Sequence, residues 1–173
     1  FRNDSLISEL PTRPNLIVLR TFSKALGLAG LRIGMALGNA KRIAEINEFQ
    51  QPFPVSSVAL IAAEAALKDT AFLRATKQFI ASERSFLTKA LTKRGFQVSQ
   101  SITNNLFVSR ADNQKIILAL AAKDVSVIDG TFFPDNKLVG FRISLRDKKT
   151  NRTFLARLDE ALACLTPNKL LRS

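Results

Sequence analysis

Blocks of apolar and polar residues along the chain predict an α/β protein. In the first fifty residues two apolar runs, 15–20 and 31–37, have the length of strands. The first run is continuously apolar, which is typical of a buried parallel strand. Isoleucine and phenylalanine at helical spacing predict a helix over 41–50, and the prolines that follow at 52 and 54 end it.

The pattern after these prolines predicts a second α/β unit. An Ala-rich helical stretch, with a kink, begins at Ser57 and ends near Lys93, and Gly95 is suited to cap its C-terminus. The later elements are predicted as a strand, a helix, two strands and a helix, over 106–110, 114–123, 125–129, 139–145 and 151–165, with a loop over 130–137. We therefore expect two domains, residues 1–55 and residues 56–173.

Charge and composition narrow the choice of partners. The 173 residues include 26 Lys and Arg but 14 Asp and Glu, a net charge of +12, which favours anionic partners. The basic residues are scattered, and the chain has no Tyr or Trp for base stacking, so a solvated basic surface fits better than a nucleic-acid interface. No apolar run is long enough to span a membrane.

The scarcity of histidine and cysteine excludes several chemistries. A chain without histidine has no His-based catalytic triad, and with only one cysteine it is unsuited to a zinc site. We therefore expect no metal. The single cysteine, Cys164, is predicted to be a core residue of a protein from the reducing cytoplasm.

Candidate chemistry is concentrated in TFSKALGLAGLRIG, residues 21–34. Lys24 follows the predicted buried strand, and burial favours the neutral, nucleophilic amine that attacks carbonyls. Thr21 and Ser23 offer hydroxyls, and the planar guanidinium of Arg32 suits a phosphate. An aldehyde that carries a phosphate, such as pyridoxal 5'-phosphate, would use all four groups. The alternative is a solvated lysine beside an arginine that forms an ordinary salt bridge.

The same segment resembles the cofactor-lysine segment of the class I/II aminotransferases of fold type I, which use pyridoxal 5'-phosphate. The family pattern is Ser/Thr-x-Ser-Lys, then small residues, then Arg eight positions after the Lys, and then Gly. GLAGLRIG is most similar to the histidinol-phosphate aminotransferases of histidine biosynthesis. QPFPVSSVALIAAEAAL, NNLFVSR and GFRISL are similar to later family segments, so the resemblance covers nearly the whole chain as the C-terminal half of such an enzyme.

This resemblance implies a fold and a set of roles. The fold would be the C-terminal part of the transferase fold, a fragment of the large-domain parallel sheet plus a small α/β domain. Lys24 would be the catalytic Schiff-base lysine, and Thr21, Ser23 and Arg32 would bind the cofactor phosphate. Arg142, in GFRISL, would bind the anionic group of the substrate. The implied partners are a phosphorylated amine or amino acid, a 2-oxo acid and a second copy of the enzyme.

Some family features lie outside the chain or differ within it. The Asp-Glu-Ala-Tyr segment that contacts the cofactor ring matches positions before Phe1, so we expect the parent enzyme to be active and this chain alone to be inactive. Arg146 and Asn151 look more like threonine-phosphate decarboxylases, and Ile128 stands where many relatives have an arginine. A decarboxylase of that kind and a non-catalytic small-domain fragment therefore remain alternatives.

Overall fold

The computed structural model describes residues 5–133 and 139–165, and these form two compact units. The first unit ends at Gln78 and the second begins at Phe79, within a long helix. The architecture is mixed α/β, as the sequence predicted. The division into a cofactor domain and a small domain at residues 55 and 56 is a functional assignment, and it stays a prediction.

A two-stranded antiparallel sheet forms the centre of the first unit. Strand β1, Ile17–Thr21, pairs with β2, Gly34–Gly38, so that Thr21 lies opposite Gly34. The expectation of a parallel strand is wrong for this pair. The connection over residues 22–33 contains only a short 3-10 turn, whereas parallel neighbours need a longer crossover, usually a helix.

The expectation that β1 is buried is also wrong for the described chain. Leu19, in the middle of the strand, is 76% exposed, and Arg20 and Thr21 are exposed as well. Continuous apolar sequence predicts burial on both faces, and the described residues do not cover both faces of β1.

A small apolar cluster anchors the loop between the two strands. Phe22 and Ile33, at the two ends of the loop, are buried with Ala59 and Ala63. The two alanines belong to helix α2, Ser57–Lys68, which begins where the Ser56 hydroxyl accepts a hydrogen bond from the Ala59 amide. Helix α1, Ala40–Asn47, lies between β2 and α2 in the chain.

The predicted kink in the long helical stretch is confirmed. Helix α3, Thr70–Lys93, is separated from α2 by Asp69, whose carboxylate accepts a hydrogen bond from the Phe72 amide at 2.8 Å. Gly95 caps the end of α3 as predicted. It has a φ of +81°, and the amide of Phe96 donates back to the carbonyl oxygen of Leu91 at 3.1 Å.

The second unit contains a four-stranded antiparallel sheet of order β3-β4-β6-β5. The strands and helices that follow α3 are β3 Gln97–Val98, β4 Asn105–Ser109, α4 Asn113–Ala121, β5 Ile128–Asp129, β6 Phe141–Ser144 and α5 Lys148–Leu165. Strand β3 was not predicted from the sequence because only two residues pair. Of the predicted loop 130–137, residues 130–132 form a 3-10 turn, and residues 134–137 lie outside the described residues.

Alternation along β4 and β6 separates a core face of this sheet from an open face. Leu106 and Val108 of β4 are buried together with Phe141 and Ile143 of β6. Side chains from α3, α4 and α5 complete this cluster, including Leu87, Leu91, Ile116, Leu120 and Leu158. Because strand residues alternate in direction, Phe107 and Arg142 belong to the opposite face.

The cysteine does not occupy the predicted core position. Cys164 is exposed near the end of α5, because the buried positions Leu158 and Ala161 place another face of the helix against the sheet. Among residues 5–133 and 139–165 no helix is long and apolar enough to cross a membrane. The same residues contain no group of three or more His, Cys, Asp or Glu arranged to hold a metal ion.

Candidate active site

The loop over residues 22–33 brings the candidate phosphate ligands of the first unit to one end of the β1–β2 pair. The Phe22 amide donates to the carbonyl oxygen of Ile33 at 3.3 Å, and this bond closes the base of the loop. The Thr21 hydroxyl accepts a hydrogen bond from the Ser23 amide at 3.1 Å and donates to the Ser23 hydroxyl at 2.9 Å. These bonds fix Thr21 and Ser23 as a pair at the entrance of the loop.

Lys24 is exposed at the start of this loop. Its carbonyl oxygen accepts a hydrogen bond from the Gly27 amide at 3.1 Å, so a tight turn follows it directly. The expectation of a buried lysine is wrong for the described chain, because β1 itself is open to solvent. The amine is accessible to an aldehyde, but the described residues do not shield it from water.

Arg32 ends the loop in a conformation that the sequence did not reveal. Its φ of 53° and ψ of 41° place it in the left-handed region, which costs a non-glycine residue about 1 kcal/mol. One terminal guanidinium nitrogen donates to the carbonyl oxygen of Ala29 at 2.7 Å. A left-handed arginine held by its own loop is a local strain of the kind found at ligand sites.

The sequence around the loop is cationic without interruption. Between Glu9 and Glu45 the chain has no Asp or Glu, and its basic residues there are Arg13, Arg20, Lys24, Arg32, Lys41 and Arg42. A Cβ atom added at Gly27 or Gly30 would meet no atom within 4 Å, so the described residues leave the loop surface open. Two hydroxyls, a guanidinium and an amine without a competing carboxylate are a donor set that fits a phosphate-bearing aldehyde.

Arg142 lies in the second unit, on the open face of the sheet. It lines a cleft of about 320 Å³. Its Nε atom is buried and has no hydrogen-bond partner among the described residues. Its guanidinium carbon is 6.0 Å from the centre of the Phe133 ring. A buried donor without a partner is costly, so this arginine is well suited to bind an anionic group that enters the cleft.

Arg146 and Asn151, the two residues that favoured a decarboxylase, are hydrogen-bonded to each other within the second unit. The Asn151 side-chain oxygen accepts from the Arg146 amide at 2.9 Å, and its amide nitrogen donates to the Arg146 carbonyl oxygen at 2.7 Å. The same nitrogen donates to the carboxyl group of Glu83 at 2.8 Å. Asn151 and Glu83 are both buried, so this network joins α5 to α3 and explains the asparagine without a ligand.

The structure therefore brings together some of the predicted site residues. Ser23, Lys24 and Arg32 lie in one loop of the first unit, and Thr21 directly precedes that loop at the end of β1. Arg142 belongs to a cleft of the second unit. A family model described as aminotransferase class I and II matches residues 2–158. This chain belongs to that family.

Among individual relatives, this chain is similar to several histidinol-phosphate aminotransferases. It is 38% identical over 156 residues to histidinol-phosphate aminotransferase 2 of Ralstonia nicotianae, covering 87% of the chain and 41% of the relative. The crystal structure of histidinol-phosphate aminotransferase from Clostridium acetobutylicum superposes with a TM-score of 0.85 at 25% identity. That match covers 92% of this chain and 49% of the other.

A third comparison concerns the cofactor. The histidinol-phosphate aminotransferase of Sinorhizobium meliloti, solved in complex with pyridoxal-5'-phosphate, matches with a TM-score of 0.74 and 26% identity over 92% of this chain and 44% of the other. The chain thus spans less than half the length of each of these relatives. These matches confirm the family and the fold class that the sequence predicted.

Proposed function

We propose that this chain carries the cofactor lysine and the substrate arginine of a pyridoxal-phosphate-dependent aminotransferase. The reaction moves an amino group from an amine or amino acid to a 2-oxo acid, so that the donor becomes a carbonyl compound and the acceptor becomes an amino acid. The observation that supports it most directly is the loop over residues 22–33. Together with Thr21 at the end of β1, it presents an amine, two hydroxyls and a guanidinium with no carboxylate nearby in sequence.

Each residue has a distinct role in this proposal. Arg32 and the hydroxyls of Thr21 and Ser23 bind the cofactor phosphate through charge-assisted and neutral hydrogen bonds. The Lys24 amine holds the cofactor aldehyde and, when released, moves a proton at the substrate Cα. When bound, the cofactor supplies an electron sink for the charge that develops at that carbon. Arg142 orients the substrate through its anionic group.

The relatives suggest the substrate class. Histidinol-phosphate aminotransferases recur among the similar proteins, so we propose a phosphorylated amine as donor and a 2-oxo acid as acceptor. The homodimer and the cytoplasmic location expected from the sequence stay predictions. Because the chain spans less than half the length of each relative compared above, we propose that the 173-residue chain alone binds the cofactor but does not complete amino transfer.

Trapping the cofactor on the chain tests this proposal. The chain is mixed with pyridoxal 5'-phosphate, reduced with borohydride and digested, and the modified lysines are mapped by mass spectrometry. We expect labelling at Lys24 to exceed that at any other lysine by about tenfold or more, because Arg32, Thr21 and Ser23 hold the phosphate beside it. Lys24→Ala should abolish this preferred labelling.

Lys41→Ala is the matched control. Lys41 is also exposed, and it lies in the same cationic segment, but it belongs to the first turn of helix α1 and not to the loop. Its removal should leave labelling at Lys24 unchanged. Equal labelling of Lys24 and Lys41 would show that the loop holds no cofactor site, and the non-catalytic alternative would then be favoured.

A further inference from the structure

The cleft around Arg142 differs from an ordinary anion site because its cation has apolar neighbours on both sides. In the antiparallel register, Phe107 of β4 and Ile128 of β5 both lie directly opposite Arg142 of β6. Residues directly opposite each other in neighbouring strands share a face of the sheet. The three side chains therefore form a row across the open face, with the guanidinium in the middle.

Other contacts of the cleft reinforce this apolar setting. The Phe133 ring lies 6.0 Å from the Arg142 guanidinium carbon, and both side chains line the cleft. Ile128 is 38% exposed, so its side chain can meet a ligand on the open face. Phe107 and Phe133 line the cleft with Arg142, and Ile128 borders Arg142 in the strand register, so the neighbours of this arginine offer surface that suits a hydrocarbon group.

A second anionic group in the ligand would find no cation among the described residues that line the cleft. Those residues are Ser99, Gln100, Ser101, Thr103, Asn105, Phe107, Phe133 and Arg142, and only the arginine carries a charge. Arg84 reaches the same segment of chain but donates to the carbonyl oxygen of Thr103 at 3.0 Å and does not line the cleft.

The hydroxyl groups of the cleft do not replace a second cation. The Ser101 hydroxyl donates to the carbonyl oxygen of Asn105 at 2.7 Å, and the Thr103 hydroxyl donates to the same oxygen at 3.3 Å. The Asn105 side-chain oxygen accepts from the Ser144 hydroxyl at 2.8 Å. These groups are already paired, and the other polar side chains of the lining, Ser99 and Gln100, are exposed and uncharged, so a second carboxylate in the cleft would lose hydration without gaining a charged donor.

We propose that the Arg142 cleft selects ligands with one anionic group and an apolar body, and that Ile128, directly opposite Arg142 on the neighbouring strand but outside the cleft lining, leaves dicarboxylates without a second cation beside Arg142. This inference rests on the proposed function and narrows it. The 2-oxo acid that accepts the amino group would be a monocarboxylic acid with an aromatic or branched aliphatic side chain. A phosphorylated amine with a single phosphate also satisfies the rule. The cleft volume of about 320 Å³ is at the small end of ligand sites, which suits a carboxylate joined to one ring.

Two unreactive carboxylates test this selection on the 173-residue chain without any cofactor. The Arg142 Nε–H cross-peak, assigned by its loss in Arg142→Lys, is followed by NMR during titration with 3-phenylpropionate or glutarate at about 150 mM salt. We expect 3-phenylpropionate to bind about tenfold more tightly than glutarate. The net charge of +12 favours the dianion at long range, so this order must come from the cleft itself.

Substitution of Ile128 gives the sharper result. Ile128→Arg places a second guanidinium beside the first and should reverse the order, so that glutarate binds about tenfold more tightly than 3-phenylpropionate. Ile128→Gln is the control, because it introduces a polar side chain without a charge. It should weaken the binding of 3-phenylpropionate slightly and leave the binding of glutarate no tighter than in the wild type.

The outcomes separate this inference from the proposed function. If wild-type chain binds glutarate at least as tightly as 3-phenylpropionate, or neither shifts the Arg142 signal, the inference is overturned even when Lys24 is labelled selectively. If the order holds and reverses in Ile128→Arg while Lys24 shows no preferred labelling, the cleft assignment stands and the cofactor proposal fails.

Discussion

At the scale of single residues, the candidate site depends on backbone conformation as much as on side-chain chemistry. The identities of Lys24 and Arg32 are visible in the sequence, but the left-handed φ of 53° at Arg32 is not. Glycine adopts this region without cost, so the arginine at this position holds a strained conformation that glycine would relieve. The sequence signal that could have suggested it is the surrounding set of small residues, which marks a loop.

Replacing Arg32 separates its two contributions. We expect Arg32→Gly to be more stable than Arg32→Ala by about 1 kcal/mol, because glycine relieves the left-handed strain and alanine does not. Both variants should lose cofactor trapping at Lys24 to the same degree, since both lack the guanidinium. Urea unfolding and borohydride labelling measure the two effects, and equal stability of the variants would contradict the strain argument.

At the scale of elements, a buried polar network ties two helices of the second unit together. Glu83 of α3 is 3% exposed and Asn151 of α5 is 2% exposed, and the asparagine also binds both backbone groups of Arg146. Position 151 lies in the first turn of α5, three residues after its start. The network therefore fixes the start of α5 against α3.

Deletion of the asparagine side chain tests this role. Asn151→Ala should lower the free energy of unfolding by about 2–4 kcal/mol, because it leaves the buried Glu83 carboxyl group and the partly buried backbone groups of Arg146 without their partner. Glu83→Gln keeps an acceptor for the Asn151 amide and should cost less than about 1 kcal/mol. Denaturant unfolding followed by circular dichroism gives both values, and an equal cost for the two variants would argue against the network.

At the scale of the whole molecule, charge dominates the expected response to pH. The chain carries a net +12, and protonation of its acids at low pH leaves 26 basic side chains unopposed. Within the second unit, Arg94 binds both carboxylate oxygens of Asp159, at 2.6 and 2.7 Å. These hydrogen bonds lower the pKa of Asp159 below its ordinary value. The pair connects the segment after α3 to α5.

The lowered pKa of Asp159 fixes the direction of the pH effect. Its contribution to stability is complete above the unfolded-state pKa of about 3.9 and is lost as the pH falls through the lower folded-state value. Because the pair is partly exposed, the free energy of unfolding of the wild type should exceed that of Asp159→Asn by less than about 1 kcal/mol at neutral pH. Urea midpoints measured from neutral pH down to pH ~3 should converge for the two proteins; a constant gap would contradict the assignment.

The sequence by itself determined the kinds of elements and the residues of the candidate chemistry. Helical spacing, prolines and Gly95 located the helices, the kink and the cap, because these signals act over a few neighbouring residues. The order of hydroxyls, lysine and arginine in residues 21–34 was sufficient to suggest the family. Two features were not predicted from the sequence: the exposure of Cys164 and the two-residue strand β3. The first depends on which face of α5 packs against the sheet, and the second on pairing with β4.

Only the tertiary structure decided the strand directions, the exposure of Lys24 and the surroundings of Arg142. An apolar run such as residues 15–20 is compatible with several pairings, and the choice depends on the connection that follows it and on what covers its faces. Phe107, Ile128 and Arg142 are far apart in sequence and meet only through the antiparallel register. That register is set by the packing of the opposite face, whose buried residues come from every helix of the second unit.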